Sequence, residues 1–133
     1  MNQKNTLINY LNLLNKIISD SDLTGLENLF HDLKTLFNVE GRLFLAGNGG
    51  SAAISNHADT DLSKLVHNNK RLKVINLVGN ISKITAYTND EGYENVFSNI
   101  IENYNPSNED LVLAFSSSGN SDNIINLINY CNS

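Results

Sequence analysis

The feature that most constrains the fold is a glycine-rich loop, residues 47–51, between an apolar run and a helix-like run. The apolar run covers residues 42–46, and the helix-like run covers residues 52–65. A strand, a glycine turn and a helix in this order can bind phosphate, because glycine permits the tight turn and the helix N-terminus directs N–H groups at an anion. The same turn also occurs where a strand and a helix merely pack closely. One such loop therefore leaves both interpretations open.

A second loop of this kind, residues 116–121, follows another apolar run at residues 111–115. It contains four serines and Gly119, so its hydroxyl and backbone N–H groups could surround an anion. The alternative is an ordinary polar turn in which Ser121 is the N-cap of the next helix. The presence of two such loops in one chain favours a phosphate site.

The rest of the chain alternates between helix and strand patterns. Apolar stripes with helical spacing predict two N-terminal helices, around residues 7–18 and 26–37. A continuous apolar run at residues 74–78 predicts a buried parallel strand. Three further helices are predicted at residues 81–86, 96–104 and 122–130. A polar connection is predicted at residues 66–72 and a loop at residues 88–92.

This alternation predicts an α/β fold, a three-layer flavodoxin-like parallel sheet with strand order 2-1-3, incomplete at one edge, with two N-terminal helices. In that order, ligands bind outside the carboxyl ends of strands one and three, where the strand order switches. The loops at residues 47–51 and 116–121 would then line one crevice.

Composition narrows the function classes. The chain has 133 residues and a formal charge of −5, from nine basic and 14 acidic residues. The absence of a basic run argues against a nucleic-acid partner. The single cysteine, Cys131, fits a reducing cytoplasm, and no run approaches the roughly 20 apolar residues of a membrane helix. We expect a cytoplasmic protein. Its N-terminal helical segment, residues 1–40, either offers an apolar stripe to another subunit or covers one face of the sheet formed by residues 41–133.

The glycine loop could bind either a dinucleotide or a smaller phosphate ligand. Gly47, Gly49 and Ala52 fit the dinucleotide fingerprint, but no acidic residue stands near the end of the second strand to bind a ribose. No Walker-type lysine follows either loop. The sequence therefore predicts no nucleotide cofactor and favours a smaller phosphate ester.

Two groups of polar side chains have several interpretations. His57 and Asp61 are four residues apart on a predicted helix and share a face, so they could be an acid–base pair, two metal ligands or a local hydrogen-bonded pair. Asp90 and Glu91 could reach sugar hydroxyls or could be solvated acids of a loop. Spacing alone does not separate these possibilities.

Together, residues 47–53, His57, residues 89–92 and residues 116–121 resemble the sugar isomerase (SIS) domains, and more narrowly their phosphoheptose isomerase branch, the sedoheptulose 7-phosphate isomerases. The resemblance implies interconversion of a ketose phosphate and an aldose phosphate by proton transfer between adjacent carbons. The alternative is a non-enzymatic SIS module that binds a sugar phosphate or a protein partner.

The resemblance also implies that residues 41–133 are the N-terminal portion of a phosphosugar-binding domain and that residues 1–40 serve oligomerisation. It further implies roles for individual residues. Asp61 would be the catalytic base, and His57 and Asp61 would be ligands of a zinc ion. The substrate ligands would be Asn48, Gly49, Gly50, Ser51, Asn89 and Asp90 for the sugar, and Ser116, Ser117, Ser118 and Ser121 for the phosphate.

The chain departs from the family pattern in two respects. Asp61 stands where the family has a glutamate that is one methylene longer. The family also continues into two further strands and a long helix, whose glutamine and histidine serve metal binding and catalysis. We therefore expect this chain alone to lack isomerase activity, and we expect a homo-oligomer, either a dimer or a tetramer.

Overall fold

The structure, a computed structural model, describes residues 3–133. The described part contains six α-helices, five strands and a short 3-10 turn at Tyr93–Asn95. The helices are α1 (Gln3–Asp20), α2 (Thr24–Val39), α3 (Gly50–Leu62), α4 (Ile81–Glu91), α5 (Val96–Glu102) and α6 (Asp122–Cys131). The strands are β1 (Arg42–Gly47), β2 (Val66–His67), β3 (Lys70–Arg71), β4 (Lys73–Asn76) and β5 (Leu111–Phe115).

The chain divides into two compact units, one that ends at His31 and one that begins at Asp32. The first unit contains α1, in which no residue is buried. The second unit contains all the strands and both of the polar loops predicted to bind phosphate. The predicted division into residues 1–40 and 41–133 stays a prediction. None of the helices in the described residues has the length and apolar character needed to cross a membrane.

The main sheet has three parallel strands in the order β4-β1-β5. Counted along the chain without the short hairpin, this order is 2-1-3, so the predicted fold class and strand order are confirmed. The central strand pairs Leu43 with Val74 on one side and with Leu111 on the other. Strand β5 lies at an edge of the sheet.

The side chains of β1 alternate between two apolar layers, because successive residues of a strand point to opposite faces. Phe44 and Ala46 contact a buried cluster formed largely by α5 and α6, whereas Leu43 and Leu45 contact a cluster that includes Leu36 of α2. These four β1 side chains have no exposed surface. Burial on both faces explains why the strand is a continuous apolar run rather than an alternating one.

The predicted polar connection at residues 66–72 is instead a small antiparallel hairpin, in which β2 pairs with β3. Asn68 and Asn69 form its turn with φ angles of 50° and 62°. Asparagine tolerates this left-handed conformation better than most residues, and two consecutive positive φ angles match the twist of a two-residue hairpin. The strand that follows is also displaced, because it covers Lys73–Asn76 rather than residues 74–78.

The predicted loop at residues 88–92 is wrong over most of its length, because α4 continues to Glu91. The Asn80 side chain caps the N-terminus of α4 by accepting a hydrogen bond from the Lys83 N–H at 3.1 Å. The helix ends at Gly92, whose φ of 90° favours glycine. The polar side chains of its last turn suggested a loop, but polar residues are also found on the exposed face of a helix.

Thr88 of α4 offers a test of packing. Its hydroxyl oxygen is buried and has no hydrogen-bond partner. Among residues 3–133, no other buried side-chain nitrogen or oxygen lacks a partner. A buried unpaired polar group is unfavourable, so Thr88→Val should raise the free energy of unfolding by about 1 kcal/mol, measured by urea unfolding. Thr85→Val is the control, because the Thr85 hydroxyl donates to the Ile81 carbonyl at 3.0 Å. Equal effects of the two changes would contradict the assignment of Thr88 as unpaired.

Candidate functional site

The two predicted phosphate loops begin next to each other at the carboxyl ends of β1 and β5. Gly47, the last residue of β1, is the register partner of Phe115, the last residue of β5. Paired strands are about 4.8 Å apart, so the chains that leave these two positions start as neighbours. Each loop then leads into a helix, α3 or α6. The two loops therefore begin side by side as expected, and a shared crevice between them stays a prediction.

Glycine is required in the first loop for two different reasons. A Cβ atom at Gly47 would lie 2.6 Å from the carbonyl oxygen of Ser51, so the backbone of the loop returns too close for any side chain. Gly49 has a φ of 52°, and a Cβ atom there or at Gly50 would meet nothing within 4 Å. The loop therefore presents bare backbone to open space at the start of α3, where the positive end of the helix dipole favours an anion.

The serine loop leaves hydroxyl protons available for a ligand. The Ser116 Oγ accepts a hydrogen bond from the Gly119 N–H at 3.1 Å, and the Ser118 Oγ accepts one from the Asn120 N–H at 3.2 Å. A hydroxyl that accepts in this way can still donate its own proton. Ser121 occupies the N-cap position of α6, but its side chain makes no capping hydrogen bond. Ser117 and Ser118 are exposed, and Ser116 and Ser121 are half-buried.

A hydrogen-bonded group of three side chains joins the first loop to α6. The Asn48 Nδ2 donates to the Asn123 Oδ1 at 2.8 Å, and the Asn123 Nδ2 donates back to the Asn48 Oδ1 at 3.0 Å. The Tyr93 hydroxyl donates to the same Asn48 oxygen at 2.7 Å. Asn123 is 2% exposed, so this amide pair is largely protected from water. Asn123 and Tyr93 were not predicted from the sequence, since they stand 75 and 45 positions from Asn48 and only the folded chain brings them into contact with it.

The predicted sugar ligands Asn89 and Asp90 lie on the last turn of α4, not on a loop. Their side chains are exposed, and the Asn89 Nδ2 donates to the Asp90 Oδ1 at 2.7 Å. The chain then passes through Gly92 to Tyr93, which contacts Asn48. This segment connects α4 to the first loop, and the roles of Asn89 and Asp90 in sugar binding stay predictions.

His57 and Asp61 form the predicted pair on α3. Their Nε2 and Oδ2 atoms are 3.2 Å apart, and the Lys64 Nζ lies 3.6 Å from the other Asp61 oxygen. The side chains of His57 and Asp61 are 82% and 58% exposed. The two side chains are therefore in contact, and both are open to a ligand.

The predicted zinc ion would need more side-chain donors than His57 and Asp61. Zinc in proteins is bound by three or four side chains. Within residues 3–133, no group of three or more His, Cys, Asp or Glu side chains is arranged to bind a metal ion. His57 and Asp61 supply only two donors, so the described residues do not complete a zinc site, and zinc stays a prediction.

Comparisons with known proteins agree with this geometry. A sequence model of the SIS domain matches residues 8–133. A probable phosphoheptose isomerase of Thermoplasma volcanium is 38% identical over 120 residues, which cover 90% of this chain and 61% of that protein. The phosphoheptose isomerase of Helicobacter pylori is 34% identical over 119 residues, with 85% and 61% covered.

Solved structures show the same fold at lower identity. A phosphoheptose isomerase from Neisseria gonorrhoeae matches with a TM-score of 0.80 and 24% identity, covering 99% of this chain and 70% of that one. One from Francisella tularensis matches with a TM-score of 0.83 and 20% identity, covering 99% and 71%. The chain spans about 61% of the length of the two curated relatives named above. The match over residues 8–133 shows that the chain belongs to the SIS-domain family.

Proposed function

We propose that this chain is the phosphosugar-binding part of an aldose–ketose isomerase that acts on sedoheptulose 7-phosphate or a similar sugar phosphate. The observation that carries the proposal is the adjacency of the glycine loop and the serine loop at the carboxyl ends of β1 and β5. The relatives named above are phosphoheptose isomerases, which favours an enzyme over a purely regulatory sugar-phosphate module.

The phosphate would be bound by neutral donors rather than by cations. The hydroxyls of Ser116, Ser118 and Ser121 and the N-terminus of α6 would contact its oxygens, with Ser117 at the exposed rim. Hydrogen bonds to a charged group are worth about 1.5–3 kcal/mol each, so a few of them can anchor a dianion without a lysine or an arginine. The sugar would then extend toward the backbone of Gly49 and Gly50.

The chemical step would move a proton between adjacent carbons of the sugar. Asp61 is proposed as the group that removes the proton, and its carboxylate is exposed. His57, 3.2 Å from that carboxylate, would orient it. Asn48 and Ser51 would position the sugar carbons relative to this pair.

Calorimetric titration with sedoheptulose 7-phosphate tests the phosphate site. Replacing both Ser118 and Ser121 with Ala should weaken binding at least about a hundredfold, because two charge-assisted hydrogen bonds are lost. Ser133→Ala is the control, because the Ser133 hydroxyl donates to the Tyr130 carbonyl at 2.8 Å, at the opposite end of α6 from the serine loop. Unchanged affinity in the double variant would show that the serine loop is not the phosphate site. A wild-type chain that binds no sugar phosphate would contradict the proposed function itself.

A further inference from the structure

The Asn48 side chain has one hydrogen-bonding position left for a ligand. Its oxygen accepts from both the Tyr93 hydroxyl and the Asn123 amide, which uses the two lone pairs of a carbonyl oxygen. One of its two N–H protons is donated to Asn123. The second N–H proton is the group that remains. Asn48 can therefore donate to a ligand, but its oxygen has no further capacity to accept.

We propose that Asn123 and Tyr93 are positioning residues that hold Asn48 as a hydrogen-bond donor to an oxygen of the sugar. This inference rests on the proposed function and adds a recognition rule to it. The serine loop would recognise the phosphate, and Asn48 would recognise a carbonyl or hydroxyl oxygen on the carbon chain. A ligand with a phosphate and no such oxygen would lose the second contact.

The geometry argues for positioning rather than for simple packing. An asparagine amide can rotate by half a turn and exchange its donor for its acceptor, which would reverse the recognition. The reciprocal bonds at 2.8 and 3.0 Å fix the plane of the Asn48 amide against Asn123. Asn123 is itself almost fully buried on α6, so its amide is a rigid support. The Tyr93 hydroxyl, at 2.7 Å, adds a second donor to the same oxygen and favours this orientation.

A change at Tyr93 can test the positioning of Asn48 without lowering the stability of the fold. Its side chain is largely exposed, at 48%, so Tyr93→Phe removes a hydroxyl without opening a cavity. Tyr87→Phe is a matched control, because the Tyr87 hydroxyl accepts a hydrogen bond of the same length, 2.7 Å, from Asn103 rather than from a loop residue. Asn123→Leu is the second variant, since leucine is neutral and of similar size but can neither accept from Asn48 nor donate to it.

The test is a pair of calorimetric dissociation constants, one for sedoheptulose 7-phosphate and one for inorganic phosphate, measured for each variant. Tyr93→Phe should weaken sugar-phosphate binding roughly fivefold, because one hydrogen bond to the Asn48 oxygen is lost. Asn123→Leu should weaken it roughly tenfold or more, because both bonds that fix the Asn48 amide to α6 are lost. Phosphate binding should change less than about twofold in both variants. In an Asn48→Ala background, Tyr93→Phe should have no further effect, because Tyr93 acts through Asn48.

The outcomes separate this inference from the proposed function. If the wild-type chain binds sedoheptulose 7-phosphate no more tightly than inorganic phosphate, the proposed sugar recognition fails. If the wild type distinguishes the two ligands but Tyr93→Phe does so equally well, the positioning role is wrong. A parallel loss for both ligands would also overturn it, since that result indicates a general effect on the loops. If Asn123→Leu does not fold, Tyr93→Phe and the Asn48→Ala background decide the matter alone.

Discussion

Replacing Arg42 with Met should lower the free energy of unfolding by about 3 kcal/mol, because the change leaves a buried carboxylate without its cation. The Arg42 Nη2 lies 2.6 Å from the Asp110 Oδ2, and its Nε donates to the other oxygen at 3.1 Å. The Asp110 side chain is 5% exposed. The same guanidinium donates to the carbonyls of Tyr104 and Asn105, so it connects β1, β5 and the end of α5. Urea unfolding at neutral pH measures the loss.

An exposed ion pair provides the control for this prediction. The Lys70 Nζ lies 2.6 Å from the Glu40 Oε1, but the two side chains are 50% and 56% exposed. Lys70→Met should therefore cost less than about 1 kcal/mol. Similar losses in the two variants would show that the Arg42–Asp110 pair contributes no more than a surface ion pair.

The same pair predicts how stability depends on pH. Burial alone would raise the pKa of Asp110, but hydrogen bonds from Arg42 and from the Ser107 N–H lower the pKa below its usual value. A lowered folded-state pKa means that the contribution is fully present above the unfolded-state value, about 3.9, and is lost as the pH falls through the folded-state pKa. Asp110→Asn should remove this part of the acid dependence. An unchanged acid profile in that variant would contradict the assignment.

Replacing both Leu11 and Leu14 with Lys should dissociate the homo-oligomer that we propose for this chain. The apolar stripe of α1 is open to solvent, with Leu7, Leu11, Leu14 and Ile18 exposed at 60%, 47%, 40% and 58%. Covering a leucine is worth about 1.5–3 kcal/mol, so a second copy packed on this stripe would gain substantially. Light scattering after size-exclusion chromatography at tens of micromolar measures the mass.

The matched control places the same two charges on the opposite side of α1. Asn9 and Asn12 face away from the leucine stripe, because a helix turns about 100° per residue. The Asn9→Lys, Asn12→Lys variant should keep the oligomer. A wild-type chain that is a monodisperse monomer at this concentration would refute the proposed assembly. Strand β5 is a second candidate contact, since its unpaired edge could accept another strand.

The sheet could be predicted from sequence because its strands are strongly constrained. A central strand covered on both faces must be continuously apolar, and residues 43–46 meet this requirement. The two loops could also be predicted, since each contains glycine and directly follows a buried strand. Local polarity was a poorer guide. It suggested a loop at residues 88–92 and an irregular connection at residues 66–72, where the structure has a helix and a hairpin.

The support around the candidate site could not be predicted from local patterns. Asn123 is an ordinary polar residue in the sequence, and nothing nearby indicates that it is buried against Asn48. Tyr93 directly follows the glycine that ends α4, and its contact with the first loop depends on how α4 and the 3-10 turn pack in the folded chain. Such contacts depend on tertiary structure, whereas the loops depend on strand ends.

We propose that the glycine loop and the serine loop bind one sugar phosphate together. The most direct measurement is a nuclear magnetic resonance titration of isotope-labelled chain with sedoheptulose 7-phosphate. It should follow the backbone amides of Gly49, Gly50 and Gly119 and the side-chain amide of Asn48. Signals from both loops should shift together and give one dissociation constant. Shifts confined to one loop, or two different dissociation constants, would contradict it.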